Sequence, residues 1–362
     1  MDTSEPDIEF DQNGVCNHCH QHETLAAKYL VTGPAGERKL QAVVEKIKKQ
    51  GSNQKYDSVI GLSGGLDSSY VAYLAWENGL RPLAVSLDNG WDSEIASNNV
   101  KNIVEKLGLD LLSYRVDFAE FRDLQLAYLK ASVVNIEAIT DHAIAATLYN
   151  VASKKGIRYI LTGINLATEG VTARSWGSGG YDLANIKAIH KKFGAVELKT
   201  YPTLSIWRRL YLQYAKRITS VALLNYVPYV QSQVAELLGK ELGWQDYGGK
   251  HCESIFTRFY QCYILPTKFG IDKRRAHLSN LIYSGQMTRE QALQQIQKPP
   301  YTAEQLRADK QYVLARLGLS EGEFESLMGL PVRSHYEYAS DEKVWQLLQW
   351  VRRAVSPLGT SR

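Results

Sequence analysis

Between residues 56 and 163 the chain alternates short apolar stretches with longer amphipathic ones, and this rhythm constrains the fold more than any other feature. "YDSVIGL", "RPLAVSLD", "LDLLSYRVD" and "IRYILTG" are short and apolar, as buried strands require. Between them lie "SYVAYLAWENG", "DSEIASNNVKNIVEKLG", "FAEFRDLQLAYLKAS" and "TDHAIAATLYNVASKKG", all helical in spacing and three of them closed by glycine. A further helix is predicted ahead of them through "RKLQAVVEKIKKQG", ended by Gly51. Strands and helices alternating at this spacing predict an α/β fold with a doubly wound parallel sheet. From about residue 200 the rhythm stops, and "YPTLSIWRRLYLQYAKRI" and most of the remaining chain favour helical spacing. Amphipathic helices are predicted within 289–318 and in "SDEKVWQLLQWVRRAV". The expected organisation is an N-terminal cysteine-containing cap (1–24), a nucleotide-binding domain (25–200) and a mainly helical domain (201–362) for substrate or partner. Tyr201-Pro202 marks the second boundary, and 362 residues suit more than one domain.

Open sheets of this class bind ligands beyond the carboxyl ends of their strands, next to helix N-termini that favour anions. The first such turn reads "VIGLSGGLDSSYVAYLA". Gly64 and Gly65 let backbone approach phosphate oxygens, and Ser63, Ser68 and Ser69 add hydroxyl donors. Asp67 suits an anion site only if it works through Mg²⁺ or orients neighbouring donors. No G-x-x-x-x-G-K-[ST] is present and no lysine follows the glycines, so this is not a Walker loop, nor is it a G-x-G-x-x-G fingerprint. The alternative, for so short a motif taken alone, is a glycine-rich turn without a ligand.

Composition excludes other classes. No apolar run approaches the ~18 residues of a membrane span, and the acidic start "MDTSEPDIEFD" is unlike a secretory signal, so the expected location is cytoplasmic. A net charge of +4 does not point to nucleic acid, and basic runs such as "RRLYLQYAKR" read as solvated helix faces. Four cysteines in a chain of this length require no disulfides, which leaves Cys16-x-x-Cys19 as half of a metal site or nothing.

The "SGGLDS" loop after "VIGL" resembles the SGGxDS signature of the PP-loop ATP pyrophosphatase superfamily, the adenine nucleotide alpha hydrolases. Members cleave ATP between its α- and β-phosphates and adenylate an acceptor oxygen. "FDQNGVCNHC", "SLDNGWDSEIASNNVKNIVEKLGLDL", "LTGINLATEG" and "HCESIFTRFYQCYILPTKFGIDKRRAHLSNLIYSGQMTREQAL" together resemble the N-acetyl sugar amidotransferases of lipopolysaccharide and flagellin-sugar biosynthesis. The resemblance spans residues from about 8 to 300 and implies conversion of an acetamido group to acetamidino on a nucleotide-linked diacetamido sugar. ATP and Mg²⁺ are the implied cofactors. Ammonia is implied to come from a glutaminase and cyclase-like partner pair resembling imidazole glycerol phosphate synthase, since no cysteine here lies in a glutaminase context.

Carried onto this sequence, the resemblance implies a phosphate cradle of Ser63, Gly64, Gly65, Asp67 and Ser68, with Asp67 catalytic. Asp88 is expected at the adenosine, its alternative being a turn-forming Asp-Asn-Gly. Thr162, Gly163 and Asn165 are expected to face the same crevice, and Glu169 to contact Mg²⁺ or substrate unless it is a surface carboxylate. In "PTKFGIDKRRAHLS", Lys268 and Lys273 are candidate catalytic cations, and Arg274 and His277 candidate substrate contacts; composition alone makes this an exposed helix start. His251, Glu253 and Arg258 are secondary candidates, and His142 either faces the crevice or caps a helix. Cys16 and Cys19 are candidate ligands of a structural zinc, to be completed by His18, His20, His22, Cys252 or Cys262. Relatives usually carry a second C-x-x-C ahead of residues matching "MDTSEPDIEFD", which this sequence does not include. A PP-loop tRNA-modifying enzyme, thiolating or lysidine-forming, is the competing enzymatic reading, and a non-catalytic scaffold in polysaccharide assembly is the third.

Overall fold

The computed structural model describes residues 1–171, 173–177 and 181–355. Its centre is a parallel sheet of β1 (Ser58–Gly61), β2 (Pro82–Asp88), β3 (Leu111–Arg115), β4 (Tyr159–Leu161) and β5 (Thr219–Val221), in the order β3-β2-β1-β4-β5. The first four strands fall within the predicted stretches. The fifth lies beyond Tyr201-Pro202, in a stretch whose spacing reads as helical. Only three residues long and paired with β4 alone, β5 is too short to show a period.

Strands covered on both faces must be apolar throughout, and β1 meets that demand. Val59 and Ile60 are both fully buried, each contributing roughly 2 kcal/mol of apolar burial. Ile60 packs with Ile47 of α2 (Gly33–Gln50), Val71 and Leu74 of α3 (Leu66–Glu77) and Ile103 of α4 (Glu94–Leu107). Ahead of these, α1 (Asn17–Tyr29) carries the cysteine pair region. On the opposite face Val59 packs with Ala146 and Tyr149 of α6 (Ala138–Lys155) and with Leu212 and Ile218. Gly108 stops α4 in the left-handed conformation as expected, but its N-cap is Ser93, through the Ala96 N–H, and not the preceding Asp92 that opens the predicted stretch.

A larger apolar cluster joins α5 (Phe118–Ala131) to the C-terminal helices. Phe121, Leu124 and Tyr128 pack with Phe256, Phe259, Tyr260 and Phe324. Residues 255–269 form a helical run with a π-turn over Tyr260–Ile264. Pro266 lacks the N–H that an unbroken α-helix would need there, and the wider turn accommodates the loss. Backbone pairing ties this run to the loop after β2: Ser93 N–H donates to Glu253 O (2.8 Å) and Ile255 N–H to Trp91 O (2.9 Å). Trp91 is buried, donates to Gln125 Oε1 at 2.8 Å and packs on Phe256, so this junction is rigid. Among the described residues no helix is long and apolar enough to cross a membrane.

Candidate active site

β1 runs through Leu62 and Ser63 into a turn whose backbone only glycine can adopt. Gly64 has φ +79°, and a Cβ there would lie 2.3 Å from the Ala96 carbonyl oxygen. Its own carbonyl accepts from Trp244 Nε1 (3.0 Å) and Asn99 Nδ2 (3.2 Å). Gly65 follows as the N-cap of α3 and has no side chain to cap the first turn. The positive end of α3 is thereby left open to an anion. Ser63 Oγ accepts from the Gly65 N–H at 3.2 Å and lies 3.3 Å from Ser68 Oγ, which holds the loop in shape. The loop after β4 presses against it: a Cβ on Gly163 would stand 3.1 Å from the Ser68 nitrogen.

These two loops open into a cavity of about 610 Å³. Ser63, Gly65, Asp67, Ser68, Thr162, Gly163, Glu169 and His277 line it, as do His251 and Glu253. Asp67 is held from two sides, by the Tyr229 hydroxyl on Oδ1 and by Lys250 Nζ at 3.3 Å from Oδ2. Lys250 also reaches Glu169 Oε1 (2.9 Å) and Thr168 Oγ1 (2.9 Å). Burial opposes its charge, but the Asp67 and Glu169 carboxylates outweigh burial and hold its pKa above the ordinary lysine value. Tyr247 accepts from the Leu66 N–H at 3.2 Å and roofs the start of α3.

Among the described residues the lining carries seven carboxylates against one lysine, Lys250, and no arginine. Two of these acids are left short of partners: Glu253 Oε2 and Glu137 Oε1 are buried with no hydrogen bond. Burial pushes both pKa values up to about 7. His277 is pushed down to about 4 by burial, with Lys250 and His251 adding to the effect, which keeps the ring neutral. A nucleotide triphosphate entering so acidic a space needs cations with it. Glu253 and Asp67 flank the loop and fit a Mg²⁺ held chiefly by phosphate oxygens, the usual mode for that ion. No cluster of three or more His, Cys, Asp or Glu ligands is present among the described residues.

Several predicted site residues lie elsewhere. Asp88 accepts from Arg115 Nε (2.8 Å) and the Gly90 N–H (3.0 Å), so its turn-forming role prevails; Asn89 and Asp92 line the cavity instead. Lys268 donates to the carbonyls of Leu327, Met328 and Leu330, where it caps the end of the helix Glu321–Met328. Arg274 is forked onto Asp272 and the Lys298 carbonyl, and Arg258 is forked onto Asp309. Asn165 is buried and caps α7 (Leu166–Glu169) through the Thr168 N–H at 2.9 Å. Gly64 shapes the loop from beneath without lining the cavity. Lys273 sits just behind the lining, facing Asp141 and Glu137; burial lowers its pKa and those acids partly restore it. His142 is a core residue that accepts from the Leu204 N–H at 3.1 Å.

Cys16 and Cys19 lie 3.4 Å apart, sulfur to sulfur, and both approach the Tyr283 hydroxyl. A tetrahedral zinc needs four donors, and the proposed completions are engaged elsewhere. His18 is bound to Glu5 at 2.8 Å, His20 to Asp11 at 3.0 Å, and His22 packs on Tyr283. Cys252 and Cys262 join no such group among the described residues. Among the described residues the candidate zinc site is not assembled.

Lys250, Tyr229, Tyr247 and Glu137 were not predicted. "WQDYGGKHCE" shows no period and no motif, and its backbone reaches the loop only because Trp244 and Asn99 pin it there.

Two family models match adjoining parts of the chain: NAD synthase over residues 37–211, and the LPS biosynthesis protein WbpG-like C-terminal domain over residues 253–352. The chain joins an NAD-synthase-type PP-loop domain to a WbpG-like C-terminal domain. Lys250 lies in the stretch between the two matches. Among solved structures the chain is similar to the NH3-dependent NAD synthetase from Campylobacter jejuni subsp. jejuni NCTC 11168 in complex with the nitrate ion. The identity is 19%, over 43% of this chain and 72% of that one, with a TM-score of 0.30. It is also similar to the NMN synthetase from Francisella tularensis, at 16% identity over 72% of this chain and 97% of that one, with a TM-score of 0.31. No curated protein shows a significant match.

Proposed function

We propose that this protein is an ATP-dependent amidotransferase that converts an acetamido group of a nucleotide-linked sugar to acetamidino in surface polysaccharide biosynthesis. One observation carries the reading. The PP-loop stretch supplies Ser63, Asp67, Ser68 and Thr162 to the cavity, and the WbpG-like stretch supplies Glu253, Thr257 and His277 to the same cavity. A nucleotide loop and a polysaccharide-associated domain thus share a single reaction space.

In this reading the acetamido oxygen attacks the α-phosphorus of ATP, the bond to the β-phosphate breaks, and pyrophosphate leaves. Ammonia adds to the activated carbon, and AMP departs with the former amide oxygen. An amide carbon is a poor electrophile with no leaving group, and adenylylation supplies one. The open N-terminus of α3, the Ser63 and Ser68 hydroxyls and Lys250 provide donors and positive charge for the phosphates. Asp67, fixed by Tyr229 and Lys250, keeps Lys250 within reach of the loop. Mg²⁺, when bound, neutralises phosphate charge in this acidic space. Ammonia is supplied by a partner glutaminase or taken as free ammonium.

The test supplies ATP, Mg²⁺, ammonium and a panel of UDP- and CMP-linked diacetamido sugars. Sugar-dependent AMP is expected, with a product about one mass unit lighter than the sugar substrate, as oxygen is replaced by NH. AMP formed with tRNA alone would sink the reading, and no AMP with any acceptor would leave a scaffold as the better account.

A further inference from the structure

On the cavity wall, the first turn of α6 meets the helical run 255–269. Glu137 stands at the N-cap of α6 and is 8% exposed. Thr257 Oγ1 donates to its Oε2 at 2.7 Å, while Oε1 is buried with no hydrogen-bond partner, and the residue is part of the cavity lining. One turn along the same helix, Asp141 opens onto the cavity with Thr140 beside it. Lys273 faces both acids from behind, so one positive charge meets two negative ones. Were Lys273 the intended counter-ion of Glu137, Oε1 would be bonded to it, and it is not. A buried carboxylate oxygen without a partner is costly. Protonation relieves that cost below about pH 7, and for the ionised carboxylate the remedy is a cation with N–H groups, delivered from the cavity.

We propose that Glu137, with Asp141, is a substrate-contacting site for the planar cation that the acetamido group becomes. This rests on the amidotransferase reading and names the residues that would distinguish amide-to-amidine chemistry. As the amide oxygen bonds to phosphorus, its C–N nitrogen takes on positive charge while keeping its proton, and Glu137 Oε1 accepts that N–H. After ammonia adds and the C–O bond to AMP breaks, one N–H proton must leave for the product to be a singly charged amidinium. Asp141 takes that proton and passes it to water. The amidinium presents two parallel N–H groups, as a guanidinium does, and such forks bind carboxylates more strongly than neutral amides do. A neutral acetamide gains far less from the same carboxylate, so the site favours the charged states along the reaction over the ground state.

The charge balance sets a pH dependence. Thr257 and Tyr260 from the 255–269 run, Thr140 and Asp141 from α6, and Lys273 all face Glu137. Burial raises its pKa to about 7, against a Thr257 hydrogen bond that lowers it. A cation binds the carboxylate form, so affinity should strengthen from pH 6 to pH 8.

The full chain is titrated with acetamidinium chloride and, as a neutral isostere, acetamide, at pH 6 and 8 and constant ionic strength. Acetamidinium should bind at least tenfold more tightly than acetamide at pH 8, and less tightly at pH 6. Glu137→Gln should weaken acetamidinium tenfold or more and leave acetamide unchanged, while Glu137→Asp should restore part of the difference. Should Glu137→Gln fail to fold, Asp141→Asn serves instead, with a loss of at least threefold expected. Equal binding of the two probes, or acetamidinium binding unaffected by these substitutions, overturns the proposal. Absence of sugar-dependent AMP with acetamidinium binding intact would instead overturn the amidotransferase reading alone.

Discussion

Lys250→Met removes the only lysine among the described lining residues and tests the electrostatics of the site directly. Lys250 Nζ lies 3.3 Å from Asp67 and 2.9 Å from Glu169. At an effective dielectric of ~20, each contact is worth ~5 kcal/mol of gross attraction. Most of that offsets the desolvation of three charged groups, so the intact cluster contributes little net stability. Removing only the cation is different, because two carboxylates then face each other across a partly enclosed space. A loss of ~2–4 kcal/mol of folding stability at pH 7 is expected, somewhat below the range for a fully buried pair. Sugar-dependent AMP formation should fall by ~10²-fold or more, the scale of removing one charge-stabilising donor. Urea denaturation at pH 7 and an AMP assay check the two effects separately. A variant with a wild-type urea midpoint and wild-type AMP formation would refute the account of Lys250.

Other outcomes follow from the same geometry. Gly64→Ala should cost at least ~1–2 kcal/mol from the left-handed backbone alone, with more from the Ala96 contact, and should abolish ATP binding; a denaturation curve and nucleotide titration check this. Asp67→Asn should stop AMP formation in a protein that stays folded, as circular dichroism would show; wild-type turnover removes Asp67 from the mechanism. Lys268→Met should lower stability by ~1–2 kcal/mol through three orphaned carbonyls yet leave KM for ATP unchanged. Glu137 and Glu253 have folded pKa values of about 7, above the ordinary carboxylate value. Their favourable contribution is complete below the unfolded value and lost as pH rises through 7. The ligand-free protein should therefore lose on the order of 5 kcal/mol between pH 5 and 8, divided between the two groups, and the double substitution Glu137→Gln, Glu253→Gln should flatten that slope in urea midpoints.

The sequence by itself determined four of the five strands and the glycine turn that follows the first. Val59 and Ile60, buried on opposite faces, demand an apolar strand, and Gly64 demands glycine, because both constraints act within a few residues. A helix end such as Gly108 is legible for the same reason. Whether a charged side chain faces the cavity depends on contacts far away in the chain, and there the sequence was silent or misleading. Lys268 looked like a phosphate clamp and instead caps a helix some sixty positions on, whereas Lys250 carried no motif and sits at Asp67. Glu137 and Thr257, 120 positions apart, meet because the 255–269 run packs on α5 and the start of α6. Local backbone preference can be read one residue at a time, but the partner of a buried charge is chosen by packing, and only the tertiary structure brings those partners together.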